Sequence, residues 1–309
     1  MSILLAADFS QAEWVAWWPA LQSALPGETL VREVANPLSI EIALVANPPQ
    51  RLLAGLPRLR FIQSLWAGVD GLLGDASLPR DIPLARMVDP MLSQAIAETA
   101  LWATLSLHRD TFEYAAQQRR GEWRQRPQHR ADEVTVAVLG LGEMGRATAL
   151  RLAGNGYRVL GWSARPVQLG GVVTRAGTAA LAPVLAEAEI AINLLPLTDA
   201  TRGLFGKPTF AQMRNGASLV NLGRGAHVIE ADLLAALESG RLRHAVLDVF
   251  AVEPLAAGHA FWTHPRISVL PHIGALTDPR SAAQVVARNV QALRNGTPLA
   301  HLVDRTRGY

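Results

Sequence analysis

From residue 134 onward the sequence repeats one pattern, in which a short apolar run alternates with a segment of helical spacing. The six apolar runs are Val134–Leu139, Tyr157–Trp162, Ile190–Leu195, Ser218–Leu222, His244–Val249 and Ile267–Leu270. Short apolar strands that alternate with helices indicate βαβ units, whose helices cover both faces of a parallel sheet. Six strands in this order predict a doubly wound α/β domain of the kind that binds dinucleotides.

The first hundred residues carry a weaker form of the same pattern, with strand candidates at Ile3–Ala7, Ile42–Val45 and Phe61–Leu65. Because 309 residues are about twice the usual ~150 per domain, we predict two Rossmann-like domains. A long helix is predicted from about Met91, and a second one, from about Pro279, is expected to return to the first domain. The polar, arginine-rich stretch 117–127 is interpreted as a linker or an exposed loop between domains.

The composition excludes several classes of protein. The chain has no cysteine, which excludes disulfide scaffolds, cysteine nucleophiles and thiolate metal sites, and no metal site is predicted. The net charge is only +3, and all but one of the 29 basic residues are arginine, so a clustered nucleic-acid-binding face is not predicted. No apolar run reaches the ~18 residues of a membrane span, and the first residues resemble a buried strand more than a signal peptide. We therefore expect a cytoplasmic protein with no membrane or nucleic-acid partner.

A glycine-rich loop follows the first strand of the regular series. It comprises Gly140, Leu141, Gly142, Glu143, Met144 and Gly145, and it opens a helical segment. The first glycine permits a tight turn, the second lets the main chain approach a pyrophosphate, and the third lets helix and strand pack closely. Free N–H groups at the helix N-terminus favour the anion.

The end of the next strand indicates which dinucleotide is bound. NAD-selective sites place an acidic residue about 20 residues after the loop, where it binds the ribose hydroxyls. Here the strand ends at Trp162, Ser163 and Arg165, with no acidic residue. A hydroxyl and a guanidinium can bind a 2′-phosphate, so NADP(H) is predicted as the preferred cofactor, with NAD(H) possible.

Three further residues follow successive strands, where open α/β sheets bind their ligands. Arg224 lies between two glycines, Glu253 precedes a proline, and His272 is in a Pro/Gly-flanked turn. Reduction of a carbonyl beside a carboxylate needs a cation, a proton donor and a group that keeps the donor protonated. These three residues could supply all of them.

Five ordered motifs carry a family resemblance: Gly140–Gly145, Asn193–Thr198, Asn221–Gly225, Leu247–Leu255 and Pro271–Ala275. They resemble the D-2-hydroxyacid dehydrogenase family and, more narrowly, its glyoxylate/hydroxypyruvate reductase branch. The resemblance covers nearly the whole chain, including Ala67–Asp70 and the closing residues 303–309. It implies NADPH-dependent reduction of a short 2-oxo acid to the D-2-hydroxy acid.

The resemblance also implies residue roles. Arg224 would bind the 2-oxo acid, His272 would donate the proton, and Glu253 would hydrogen-bond the other nitrogen of that ring. The expected substrate contacts are Trp66, Ala67, Gly68, Val69 and Arg224. Besides the glycine-rich loop and the residues after the second strand, the expected cofactor contacts are Leu195, Pro196, Leu222, Asp248 and Gly274.

The predicted organisation is a flavodoxin-like substrate-binding domain of residues 1–100 plus 281–309 and a Rossmann dinucleotide-binding domain of residues 101–280. The active site is expected in the cleft between the domains. The family further implies a homodimer, in which Trp123 matches a position that reaches into the partner subunit; a surface or interdomain tryptophan is the other interpretation.

Alternative functions stay open at this point. Ala46 and Asn47 stand where related reductases place an aromatic residue, and Trp66 precedes the substrate loop, so a bulkier 2-oxo acid is the first alternative. A dinucleotide-sensing binding protein is the second. A methyltransferase would leave Arg165 and the three strand-end residues unexplained. Oxidation of NADPH across a panel of 2-oxo acids separates these functions.

Overall fold

A computed structural model describes all 309 residues of the chain. The chain forms two compact units, one of Met1–Leu92 with Thr277–Tyr309 and the other of Ser93–Leu276. The sequence predicted the boundaries between the two units at residues 100/101 and 280/281, whereas the structure places them at 92/93 and 276/277. Which unit binds which ligand stays a prediction.

The elements follow one another as the apolar pattern requires. The strands are β1 (Ser2–Ala7), β2 (Thr29–Val31), β3 (Ile40–Ala46), β4 (Phe61–Ser64), β5 (Leu84–Ala85), β6 (Thr135–Leu139), β7 (Arg158–Ser163), β8 (Val173–Ala176), β9 (Ile190–Asn193), β10 (Ala217–Asn221), β11 (Leu242–Leu247) and β12 (Ile267–Val269). The α-helices are α1 (Gln11–Ala24), α2 (Asp70–Leu73), α3 (Pro90–His108), α4 (Thr111–Arg120), α5 (Glu143–Gly154), α6 (Leu181–Glu187), α7 (Lys207–Gln212), α8 (Glu230–Glu238) and α9 (Pro279–Asn295). No helix is both long enough and apolar enough to span a bilayer.

The first unit is built on a five-stranded parallel sheet with the order β2-β1-β3-β4-β5. This is the flavodoxin-like order. β3 is buried along its whole length, as a central strand covered on both faces must be. Side chains of α1 and α9, including Trp17 and Val286, cover one face, and a cluster that includes Leu53 and Leu78 covers the other.

The second unit is built on a seven-stranded sheet with the order β12-β11-β10-β9-β6-β7-β8, again entirely parallel. Counted within the unit, β6 to β11 follow the dinucleotide-fold order 3-2-1-4-5-6, and β12 extends the sheet by one strand. The order reverses where β6 lies beside β9, which is where such sheets open a crevice for ligands. The predicted α/β fold class with two doubly wound parallel sheets is confirmed.

Two sequence interpretations are corrected by the structure. The second unit has seven strands instead of six, because the edge strand β8 is half exposed and lacks an apolar run. The arginine-rich stretch 117–127 is not a linker, because the whole stretch belongs to the second unit; residues 117–120 end helix α4, and residues 121–127 form a mostly exposed loop, as the other interpretation expected, although within one unit. Arg119 and Arg120 form the last turn of that helix, whereas Arg124 and Arg126 lie in the loop that follows it.

The long helix α3 matches its prediction closely. Its predicted apolar face comprises Leu92, Ile96, Ala100, Ala103 and Leu107, all of which are buried. The helix starts at Pro90, the first helical position at which a missing N–H costs nothing.

One buried histidine makes the stability of the second unit depend on pH. His244 in β11 stacks on Phe112 at 4.5 Å and lies 3.0 Å from the Ser268 hydroxyl. Burial, assisted by the nearby guanidinium of Arg243, lowers the pKa of His244 from 6.5 to about 4. Between these two values the unfolded chain binds a proton that the folded chain does not, so stability falls as the pH falls from about 6.5 to about 4.

We expect His244→Gln to remove about 3 kcal/mol of the pH dependence between pH 7.5 and pH 4, because glutamine does not titrate. Calorimetric unfolding at both pH values measures the difference. The exposed His129 provides the control variant His129→Gln, which should unfold with the pH dependence of the wild type. Equal pH dependence in wild type and His244→Gln would contradict the role of His244.

Candidate active site

The glycine-rich loop turns the chain from β6 into α5 with no room for side chains at two of its glycines. Gly140 has φ +98°, and a Cβ there would lie 2.7 Å from the carbonyl oxygen of Leu194. A Cβ on Gly145 would lie 1.7 Å from the carbonyl oxygen of Gly140. A Cβ on Gly142 would meet nothing within 4 Å. The loop is therefore tight on its protein side and open on the other, which fits a pyrophosphate against the main chain.

The start of α5 leaves its N–H groups available for an anion. Gly142 is the N-cap and has no side chain, so no side chain accepts a hydrogen bond from the N–H groups of the first turn. Leu141 is buried beneath the loop, while Glu143 is exposed and Met144 is partly buried in the first turn.

The end of β7 combines one buried and two accessible residues. The indole of Trp162 is buried, and its Nε1–H donates to the carbonyl oxygen of Gly177 at 2.9 Å. The predicted cofactor contact of Trp162 therefore depends on its main chain. The hydroxyl of Ser163 donates to the carbonyl oxygen of Arg165 at 2.6 Å. The Arg165 side chain is exposed and has no partner within the protein, which leaves its guanidinium available for an anion.

A histidine–carboxylate pair links the loops after β11 and β12. His272 Nδ1–H donates to Glu253 Oε2 at 2.6 Å. The other carboxylate oxygen, Oε1, accepts the N–H of Phe250 at 2.9 Å, which fixes the carboxyl plane. The His272 side chain is 51% exposed, and its Nε2 has no partner within the protein. The ring is thus oriented by one nitrogen and can give or take a proton at the other.

A buried aspartate holds the turn that carries this histidine. The main chain of His272 has φ +53°, and its N–H donates to the carbonyl oxygen of Asp248. The Asp248 carboxylate is 2% exposed and accepts the N–H groups of Ile273 at 2.7 Å and Gly274 at 2.9 Å. Thr99 donates to the Gly274 carbonyl oxygen at 2.7 Å. Asp248 and Gly274, both predicted as cofactor contacts, are therefore bonded to each other and position His272.

Arg224 follows β10 in a loop that packs directly on the loop after β11. Its side chain is partly buried, and Nη1–H donates to the Gly223 carbonyl oxygen at 2.8 Å. A Cβ on Gly225 would lie only 1.8 Å from the carbonyl carbon of Phe250. The same Phe250 donates to Glu253, so main-chain contacts connect the arginine loop to the histidine–carboxylate pair.

Leu195, Pro196 and Leu222 line the neighbouring strand ends. Leu195 and Leu222 are buried, and Pro196 is partly buried. A Cβ on Gly223 would lie 3.1 Å from the Leu195 carbonyl oxygen, so the loops after β9 and β10 are in contact.

The predicted substrate loop lies in the first unit. The indole of Trp66 packs edge-on against Phe9 at 6.0 Å and Trp17 at 5.9 Å. Ala67 is partly buried, and the N–H groups of Gly68 and Val69 have no acceptor within the protein. The loop therefore offers two main-chain donors, while its tryptophan extends the apolar core of the first unit.

Sequence reasoning missed a buried polar group beside these loops, formed by Asn193, Asn221 and His227. The available signal was the asparagine that ends each of β9 and β10. These two residues are paired in register between the strands.

Comparison with known proteins finds a matching family and relatives that are similar over the full length of the chain. Residues 101–274 match the sequence model of the D-isomer specific 2-hydroxyacid dehydrogenase, NAD binding domain. Glyoxylate/hydroxypyruvate reductase A of Serratia proteamaculans is 39% identical over 315 residues, with both chains covered completely.

Solved structures are similar over the whole chain. The D-isomer specific 2-hydroxyacid dehydrogenase of Xanthobacter autotrophicus Py2, in complex with NADPH and MES, has a TM-score of 0.95 and 38% identity, covering 100% of this chain and 99% of that one. The NADPH-dependent glyoxylate/hydroxypyruvate reductase of Sinorhizobium meliloti, in complex with NADP and sulfate, has a TM-score of 0.93 and 34% identity, with both chains covered completely.

The glycine-rich loop yields a prediction that separates folding from ligand binding. Gly145→Ala should lower the Tm of the free protein, because its Cβ has no space. Gly142→Ala should leave that Tm unchanged but weaken NADPH binding at least about tenfold, since the methyl group enters the space open to a pyrophosphate. Thermal unfolding without nucleotide and fluorescence titration with NADPH measure the two effects. Unchanged NADPH binding by Gly142→Ala would exclude the loop as the pyrophosphate site.

Proposed function

The chain belongs to the D-isomer specific 2-hydroxyacid dehydrogenase family, and from this premise we propose that it reduces glyoxylate or hydroxypyruvate to the D-2-hydroxy acid with NADPH. The observation that carries the proposal is the 2.6 Å hydrogen bond between His272 Nδ1 and Glu253 Oε2, beside the arginine loop of the neighbouring strand. Relatives with the name glyoxylate/hydroxypyruvate reductase A, similar over the full length of the chain, support the substrate class.

His272 is assigned the role of proton donor to the carbonyl oxygen of the substrate. With Nδ1–H bonded to Glu253, the proton for transfer is at Nε2, which has no partner within the protein. The Glu253 carboxylate accepts the Nδ1 proton and keeps the ring from rotating. Phe250 N–H in turn holds the carboxylate, so proton transfer requires no rearrangement of the pair.

Arg224 is assigned the binding and polarisation of the 2-oxo acid. A guanidinium stays charged at every useful pH and offers two parallel N–H donors that match a carboxylate. Its loop lies against the Phe250 main chain and so has a fixed position relative to Glu253. The N–H groups of Gly68 and Val69 are further candidates for binding the substrate carboxylate.

The residues of the second unit fit NADPH. The open side of Gly142 and the start of α5 suit a pyrophosphate, and the exposed Arg165 suits a 2′-phosphate, to which Ser163 could donate once its hydroxyl turns from the Arg165 carbonyl oxygen. When bound, the reduced nicotinamide supplies the hydride for the carbonyl carbon. Leu195, Pro196 and Leu222 would exclude water from that reaction.

We infer that the chain forms a homodimer and that exposed apolar side chains of the second unit contact the second copy. Trp102 and Leu105 on α3 are 41% and 42% exposed, and Trp123 is 96% exposed. Large apolar side chains in such positions are typical of protein–protein contacts. A cytoplasmic location stays a prediction from the sequence.

The catalytic assignment predicts distinct effects of two substitutions. His272→Ala should lower kcat by about 10²- to 10⁴-fold, since it removes the proton donor. Arg224→Lys should raise KM for glyoxylate and lower kcat, because an ammonium cannot bind a carboxylate with two parallel donors. Steady-state oxidation of NADPH measures both.

A second histidine–glutamate pair provides the control. His259 lies 3.2 Å from Glu230 and also accepts the N–H of Phe261. His259→Asn can keep that acceptor and should leave kcat within about threefold of the wild type. Near-normal turnover by His272→Ala would refute the proposed proton donor.

The assignment of Arg165 to the 2′-phosphate predicts a preference for NADPH over NADH. Arg165→Ala should lower kcat/KM for NADPH by about 10- to 100-fold and leave that for NADH nearly unchanged, because only NADPH carries the 2′-phosphate. Arg158→Ala, at the exposed start of the same strand, should leave the preference intact. A wild type that already uses NADH better than NADPH is the contrary result.

A further inference from the structure

The hydrogen bonds among Asn193, Asn221 and His227 have only one consistent direction. The N–H of Leu195 lies 3.2 Å from Asn193 Oδ1, so this oxygen is the acceptor and Asn193 Nδ2 is the donor. Nδ2 then donates to Asn221 Oδ1 at 2.9 Å and to His227 Nδ1 at 2.8 Å. The orientation of both amides follows from the main chain alone.

The same reasoning fixes the ring of His227, which is fully buried. Its Nδ1 also accepts the main-chain N–H of Arg224 at 3.2 Å. Its Nε2 lies 3.2 Å from the carbonyl oxygen of Pro196, which can only accept. The ring is therefore neutral with its proton on Nε2, since a proton on Nδ1 would face two donors.

These bonds hold the main chain of Arg224 at both of its polar groups. His227 accepts its N–H, and Asn221 Nδ2 donates to its carbonyl oxygen at 3.0 Å. The opposite side of the imidazole holds Pro196 in the loop after β9, where the nicotinamide contacts are assigned. The buried His227 ring thus connects the loop of Arg224 with the Pro196 loop after β9.

We propose that His227 is a positioning residue for the reductase reaction proposed above, on which this inference rests. Nδ1 positions the main chain from which the Arg224 guanidinium extends, and Nε2–H positions the Pro196 turn against which NADPH binds. The ring acts on the reaction through these two loops. Because the group is buried, each bond matters, since a lost partner leaves a buried polar group unsatisfied.

Two isosteric variants separate the two sides of the ring. His227→Asn can keep an acceptor near the Nδ1 position, and His227→Gln can keep a donor near the Nε2 position. His227→Gln should raise KM for glyoxylate at least about tenfold and leave the NADPH Kd within about threefold of the wild type. His227→Asn should raise the NADPH Kd at least about tenfold and leave the KM for glyoxylate within about threefold of the wild type. Steady-state kinetics and NADPH fluorescence titration without substrate give the two constants.

The control is His244→Gln, which changes another buried histidine of the second unit, at the opposite end of its strand from Asp248. It should leave both constants unchanged. If both His227 variants raise the KM for glyoxylate and the Kd for NADPH to the same extent, in proportion to their loss of Tm, the role is structural and the proposal is overturned. Unchanged constants in both variants overturn it as well.

A spectroscopic measurement decides the case in which neither variant folds. In ¹⁵N-histidine-labelled wild type, the His227 ring should show a protonated Nε2 and a bare Nδ1. A proton on Nδ1 overturns the proposal. A wild type that reduces no 2-oxo acid refutes the reductase assignment alone. The NADPH titrations of the two variants then test whether His227 positions the Pro196 loop.

Discussion

Main-chain contacts too close for any Cβ hold the loops at the carboxyl edge of the second unit, and the positions of its polar side chains depend on them. Gly145 lies against Gly140, and Gly225 lies against Phe250. The first contact joins the turn after β6 to the first turn of α5, and the second joins the loop after β10 to the loop after β11. The Gly225 contact places the Arg224 loop against Phe250, whose N–H holds the Glu253 carboxylate that bonds His272 at 2.6 Å.

The sequence predicted the parts of this arrangement that follow from periodicity and from motifs. Apolar runs located nine of the strands, and residues such as Arg224 and His272 stood out because they follow such runs. It could not predict what a buried polar residue binds. The partners of Asp248 and His227 are set by loops that meet only after folding, and the indole of Trp162 lies in the core for the same reason. β8 was missed because an edge strand needs no continuous apolar run.

The abundance of arginine also has a structural explanation. Arg294 bonds both Glu28 and Glu41 in the first unit, which lowers the pKa of Glu28, and Arg243 pairs with the buried Asp110 in the second. Planar guanidinium groups can satisfy several carboxylate oxygens at once. Arg165 has no internal partner and lies directly after β7, so its guanidinium is available for an anion.

The discontinuous chain of the first unit has a consequence for folding during synthesis. Its core joins β1 and β3 to side chains of α9, which lies beyond the 184 residues of the second unit. At about 5 to 20 residues per second, a ribosome needs about 10 to 40 s to make those residues. Throughout that time the apolar strands of the first unit lack the helix that covers one face of their sheet. The second unit, although later in sequence, can therefore be complete before the first has its last helix.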